Sequence, residues 1–193
     1  MMPNTALPAT FTLKDALLAG VQKHHVYTLL EQGEIERVGR GVYMRPGVID
    51  PAFTSLAAAT VAQESATLCL TSALVHHDLS DAIPFESTIA LPRGTRPPSG
   101  IANVKWHSFD SSTFSIEREQ ITIDNELSVS VYSSERTIID CFRLMHIEGN
   151  DVAHEALRRW LRRRGNTPSA LLKTASSFPK ALPKLRNALD VLL

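Results

Sequence analysis

The chain has 193 residues, 44% hydrophobic and 21% charged, enough for one large domain or two small ones with a real core. It has no apolar run near the ~18 residues of a membrane span, and Met1-Met2-Pro3-Asn4-Thr5 has neither the basic start nor the apolar core of a signal peptide. Cys69 and Cys141 lie far apart in apolar surroundings without CxxC spacing, so two buried free thiols in a cytoplasmic protein are expected, and no zinc site. Formal net charge is zero but unevenly spread: balanced over residues 1–50, −6 over 51–140 and +6 over 141–193. A neutral chain of this kind can still present a local basic face to a phosphate backbone.

Thr12 is a good N-cap for a short helix over Leu13–Ala19, with Asp15 in its first turn. Gly20 supplies a turn, and a second helix is predicted from Lys23 to Gln32 on the Val26, Leu29, Leu30 stripe. Gly33 ends it, and Ile35–Val38 and Val42–Met44 alternate around Gly39-Arg40-Gly41, which is hairpin chemistry. Helix, helix and tight hairpin in this order describe a winged helix-turn-helix over residues 1–47, a unit that lays one helix in the DNA major groove.

Residues 48–53 read as a connector to a second domain over 54–193. There Thr54–Ser65 and Ser72–His77 look helical, and Thr88–Leu91, Val104–Phe109, Ile121–Ile123 and Ser128–Tyr132 look extended. The Pro- and Gly-rich stretch 92–100 is a loop. Helices then follow at Ser134–His146, at Asp151–Arg164, from Thr167-Pro168, and to the end near Leu193. Helices, then strands, then helices predict an α+β fold: a winged head followed by a mixed α/β unit with a small sheet.

On a helical wheel His24, Tyr27, Thr28 and Glu31 lie opposite the apolar stripe, with Lys23 and His25 at its flanks. In a winged helix such outward positions meet base edges, while nearby cations meet phosphate. The candidate DNA-binding residues are therefore Lys23, His24, His25, Tyr27 and Thr28 on the helix, with Arg37, Arg40 and Arg45 on or beside the wing. The alternative is a plain solvated face. Arg158, Arg159, Arg162, Arg163 and Arg164 crowd one side of a later helix whose apolar stripe is Val152, Ala156, Leu157, Trp160 and Leu161. They are either a solvated face or a second basic surface for phosphate or another partner.

His76-His77-Asp78 has no further ligand at metal spacing, so one ring in the core and one exposed is the plainer expectation. Within Glu135-Arg136-Thr137-Ile138-Ile139-Asp140, Arg136 can pair with Asp140 at i+4 as a structural brace. A nuclease would need an acid two residues before a lysine. The positions before Lys14, Lys23, Lys105, Lys173, Lys180 and Lys184 are Thr12, Val21, Asn103, Leu171, Phe178 and Leu182, none of them acidic. Walker-type, GxSxG and HExxH motifs are missing too, so no catalysis, cofactor or metal is expected.

The stretch Leu30-Glu31-Gln32-Gly33-Glu34-Ile35-Glu36-Arg37-Val38-Gly39-Arg40-Gly41-Val42-Tyr43 resembles the N-terminal domain of the AbiEi-like antitoxins of type IV toxin–antitoxin systems. The resemblance continues in order through 72–84, 90–96, 131–140 and 155–159. It implies a bacterial antitoxin that represses its own operon by binding double-stranded promoter DNA and counteracts a nucleotidyltransferase toxin encoded beside it. Direct contact with the toxin is not required by that scheme. On this reading the later arginines could also engage the toxin or an RNA. The chain departs from the pattern in starting its recognition helix at Gln22 rather than a Ser-type cap, and in lacking a long leading helix, since Pro3 and Pro8 interrupt Met1–Thr10. The head is therefore expected to be incomplete on its own or completed by the second domain, and tight binding to require self-association on an inverted repeat or the basic C-terminal region. A solitary winged-helix regulator, with its second domain serving dimerisation or sensing, is the alternative.

Overall fold

The computed structural model describes residues 7–124 and 126–193, so the readings of Met1–Thr5 and of Pro3 lie outside it. The fold is α+β, and its first unit is a winged head. Strand β1 (Thr10–Thr12) leads into helix α1 (Leu13–Leu18), helix α2 (Lys23–Glu31), strand β2 (Glu36–Gly39) and strand β3 (Val42–Met44). Helix α1 begins with a capping box: the Thr12 hydroxyl accepts the Asp15 N–H at 3.1 Å, and the Asp15 carboxylate accepts the Thr12 N–H at 2.8 Å. Val26 and Leu29 bury their side chains against Phe11, Ala16, Ile35 and Tyr43, while Leu30 is only half-buried at the rim of this cluster. Gly33 takes φ 71° and Gly41 φ 72°, the left-handed turns that release the chain from α2 and fold the wing.

Strand β1 is three residues long, too short to show a period in the sequence. It pairs antiparallel with β3, Phe11 opposite Tyr43, and gives a three-stranded sheet in the order β1-β3-β2. The Phe11 and Tyr43 rings stack at 5.8 Å. The next helix adds nothing to the core between α1, α2 and this sheet, but covers the sheet's other face. A 3₁₀ turn at Pro51–Phe53, capped by Asp50, starts helix α3 (Thr54–Ala62), which packs on β1, β2 and β3.

The other side of α3 lies on a five-stranded mixed sheet built from β4 (Thr67–Leu68), β5 (Ser87–Pro92), β6 (Val104–Phe109), β7 (Arg118–Ile123) and β8 (Leu127–Tyr132). The spatial order is β6-β5-β4-β8-β7, with β5/β6 and β4/β8 parallel and the other pairs antiparallel. Being sandwiched explains the composition of α3: Leu56, Ala57, Ala58 and Ala59 are all fully buried, and small side chains let two sheets approach one helix. Ile89, Leu91, Val129 and Val131 share a core with Ala57, Ala59 and Met44, so the packing runs without a break from the wing sheet to the second sheet.

The opposite face of the large sheet carries Ala90, Phe109 and Tyr132. It is covered by helices α4 (Leu70–His76), α5 (Ser134–Arg143), α6 (Met145–Glu148), α7 (Asn150–Leu161), α8 (Pro168–Ala175) and α9 (Leu182–Leu192). The helix expected over 134–146 is interrupted at Leu144 (φ −111°, ψ 25°), and α7 ends at Leu161 rather than Arg164. Likewise α3 stops at Ala62, three residues early, because Ala66 to Leu68 turn into the short central strand β4, which two residues could not announce by periodicity. Cys69 and Cys141 are free and fully buried, and burial pushes both thiols well up. Among the described residues no helix is long and apolar enough to cross a membrane.

The charged run at the start of α5 is the brace of this core. Arg136 is fully buried, its Nε donating to the Asp140 carboxylate at 2.9 Å and its Nη1 to the carbonyls of Thr113 at 2.7 Å and Ile116 at 2.8 Å. Its guanidinium is held between the rings of Tyr132 and Phe178, each 4.3 Å away. Arg143 Nε donates to the other Asp140 oxygen at 3.0 Å. Burial pushes the Asp140 carboxyl upward, opposed by the two arginines. The histidine pair departs from expectation: both rings are half-buried, His76 edge-on to Phe53 and His77 with Nε2 2.7 Å from the Tyr132 carbonyl. The reason is that each ring meets a partner, Phe53 ahead of α3 for His76 and the Tyr132 carbonyl of β8 for His77, so each is covered in part.

Candidate nucleic-acid interface

Helix α2 turns its buried side, Val26 and Leu29, into the head and leaves Lys23, His24, His25, Tyr27, Thr28 and Glu31 exposed. The five candidate residues on this helix are thus all exposed, with Lys23 and His25 on its two flanks. Lys23 Nζ sits 5.7 Å from the centroid of the Tyr27 ring, a cation placed over an aromatic face. The Thr28 hydroxyl donates to the His24 carbonyl at 3.1 Å, which leaves its acceptor lone pairs outward. Gln22 caps the helix by backbone only (φ −73°, ψ 149°), with no side-chain hydrogen bond. The His25 and Val26 N–H groups donate to the Gln22 carbonyl, and with no side-chain cap the positive end of the helix dipole lies beside Lys23, the electrostatics an anionic oxygen prefers.

The wing adds three arginines in different settings. Arg37, opposite Tyr43 in the sheet, is exposed and donates from Nε to the Gly39 carbonyl at 3.2 Å. Arg40 is exposed at the tip, and Arg45 is half-buried where the hairpin leaves the sheet. Tyr43 is itself buried beside Tyr27 and Arg37, and burial raises its hydroxyl pKa. It couples α2 to the wing, a link absent from the alternating pattern because it depends on the pairing of β3 with β1 and β2.

The wing tip does not stand free. The Arg40 N–H donates to the Ser99 carbonyl at 3.0 Å, and Gly39 and Gly100 pack so tightly that a Cβ on either would come within 3.0–3.1 Å of Ile101 Cγ1 or of the Arg40 nitrogen. Nothing local in the sequence signals this contact, which joins residues some sixty positions apart.

The later arginines fare differently. Arg159 donates from Nη1 to Asp81 at 2.8 Å and from Nε to Glu155 at 3.0 Å, and Arg163 Nη2 donates to the carbonyls of His77 at 2.6 Å and Asp78 at 2.9 Å. Both serve to hold the 77–81 turn against α7. Arg158 is exposed and loosely paired with Glu155 at 3.7 Å, while Arg162 and Arg164 are exposed beyond the end of α7. The five residues are therefore not one uniform basic face. Among the described residues, no group of three or more His, Cys, Asp or Glu side chains is placed to hold a metal.

A helix with an open polar face, joined by a glycine turn to a basic hairpin on a three-stranded sheet, has the arrangement of a winged helix-turn-helix. Residues 9–46, which span β1 to β3, match the family described as "Transcriptional regulator, AbiEi antitoxin". The similarity covers the head alone and leaves residues 47–193 outside it. No curated protein matches the chain.

Proposed function

We propose that this protein is a DNA-binding antitoxin that represses its own operon and counteracts a nucleotidyltransferase toxin encoded beside it, without catalysis of its own. The observation that carries this reading is the exposed α2 face, Lys23 to Thr28, set beside the Arg37/Arg40 wing on a head that matches a transcriptional-regulator antitoxin family. Lys23, Arg37, Arg40 and Arg45 take phosphates, His24, His25, Tyr27 and Thr28 face base edges, and Glu31 limits contact toward the C-terminal end of α2. Residues 1–47 serve as the DNA head and 54–193 as the antitoxin unit, with α3 as their shared wall. A single small head reads few bases, so two copies on an inverted repeat are the expected arrangement.

Two measurements test this. A gel shift on the chain's own promoter should show specific retardation that weakens with salt, and a footprint should cover two half-sites. Co-expression with the neighbouring nucleotidyltransferase should restore growth. Equal arrest with and without this protein would remove the antitoxin part and leave a DNA-binding regulator.

A further inference from the structure

The segment between the parallel strands β5 and β6 has to run the length of the sheet, because Pro92 ends one strand beside Phe109 while Val104 starts the next beside Ser87. Residues 93–103 make this return over the outside of the molecule and are fastened at four points. The Arg93 N–H donates to the Phe109 carbonyl at 2.7 Å, and the Ser99 carbonyl accepts the wing's Arg40 N–H at 3.0 Å. The Ala102 carbonyl accepts the Ser55 hydroxyl of α3 at 3.2 Å, and the Asn103 carbonyl accepts the Ser87 N–H at 2.8 Å. The loop is thus a fixed neighbour of the wing tip. Pro97 and Pro98 stiffen the approach to Ser99.

Its charge is out of keeping with its surroundings. Residues 51–140 are acidic overall, yet from Ser87 to Phe109 there is no Asp or Glu, while Arg93, Arg96 and Lys105 are present. Arg93 is exposed and shares its Nη1 with Asp110 at 3.2 Å. Arg96 is exposed and has no ion-pair partner among the described residues. It lies three residues before Ser99, so its Cα is within about 11 Å of the residue that touches Arg40. Arg37, Gly39, Arg40, Ser99 and Gly100 line one open depression of about 410 Å³ between the wing and the loop.

We infer that the 93–100 loop is a second arm of the nucleic-acid surface, with Arg96 contacting the duplex backbone next to the wing. This rests on the DNA-binding reading of the head and follows from it by geometry: a duplex close enough to meet Arg40 at the tip must also pass the loop that holds that tip. The contact is to phosphate, so it adds affinity without adding sequence preference.

The test is fluorescence anisotropy across a salt series, with a labelled duplex of the chain's own promoter and an unrelated duplex of the same length. Arg96→Ala should weaken binding to both duplexes several-fold and reduce the slope of log K against log salt by about one. Arg96→Lys should restore both, since phosphate contact needs only the charge. If Arg40→Ala lowers affinity and slope while Arg96→Ala changes neither, the loop is not at the DNA and the inference falls, with the reading of the head intact. If the unsubstituted protein does not bind either duplex, the reading of the head falls as well. Thermal melting of Arg96→Ala should match the unsubstituted protein, because the side chain is exposed.

Discussion

Lys23 and Arg40 of the winged head and Arg136, Arg159 and Arg163 of the helical layer behind the large sheet are cations in opposite settings. On α2 and the wing, Lys23 and Arg40 are exposed and reach outward, with Lys23 resting on Tyr27. In the helical layer Arg136 is buried against Asp140 and two carbonyls, while Arg159 and Arg163 are tied to the 77–81 turn. The difference shows that charge density along a chain does not locate a partner. Acceptor supply does: where carboxylates and open carbonyls of the fold surround an arginine it becomes a strut, and where none do it remains available to an external anion.

The strongest way to break this contrast is Arg136→Ala. It leaves the Asp140 carboxylate and the Thr113 and Ile116 carbonyls without their buried donor, and stability should fall by about 3–5 kcal/mol in urea melts. A loss below ~1 kcal/mol would mean the brace is not structural. On the other side, Lys23→Ala with Arg40→Ala should leave the urea midpoint nearly unchanged while reducing the salt slope of DNA binding by about two. A shifted midpoint with unchanged DNA binding would reverse the assignment.

Gly100→Ala should fall between the two regions. At φ 79° a Cβ is strained, and here it would meet the Arg40 nitrogen at 3.1 Å. We expect about 1–2 kcal/mol of destabilisation, with weaker DNA binding as the wing tip loses its support. Unaltered binding would show that the wing holds its own shape.

The half-buried His76 and His107 give a pH test. Burial lowers both pKa values, so the folded state favours the neutral rings. Their contribution is present above the unfolded histidine value, about 6.5, and is lost as pH falls through the depressed folded values. Melting temperature should therefore drop between pH 7.5 and 5.5, and His76→Gln with His107→Gln should flatten that drop. The smallest effect is expected for Arg159→Ala. Its partner Asp81 is largely exposed, so solvent screens the pair and the melt should barely move, with DNA binding unaffected.

Much of this was legible from local pattern. The Thr12/Asp15 cap, the stripe of α2, the glycines of the wing, the extended runs at 88–91 and 104–109, and the Arg136–Asp140 spacing all express interactions within a few residues. What escaped had long-range causes. Strand β1 exists because Thr10–Thr12 find β3, and β4 because Thr67 and Leu68 sit between β5 and β8; neither stretch is long enough to show a period. The even burial of α3 likewise depends on sheets lying on both of its sides.

The amino-acid sequence alone determined the helix-turn-helix, its wing and the outward set Lys23, His24, His25, Tyr27 and Thr28, because capping, helical periodicity and turn chemistry act over a few residues. Only the tertiary structure decided that α3 lies between the wing sheet and the larger sheet and that Arg40 rests on Ser99. It also decided which arginines are struts and which are open to a partner. Those outcomes depend on which distant acceptors the fold brings within hydrogen-bond reach, and no local pattern encodes that.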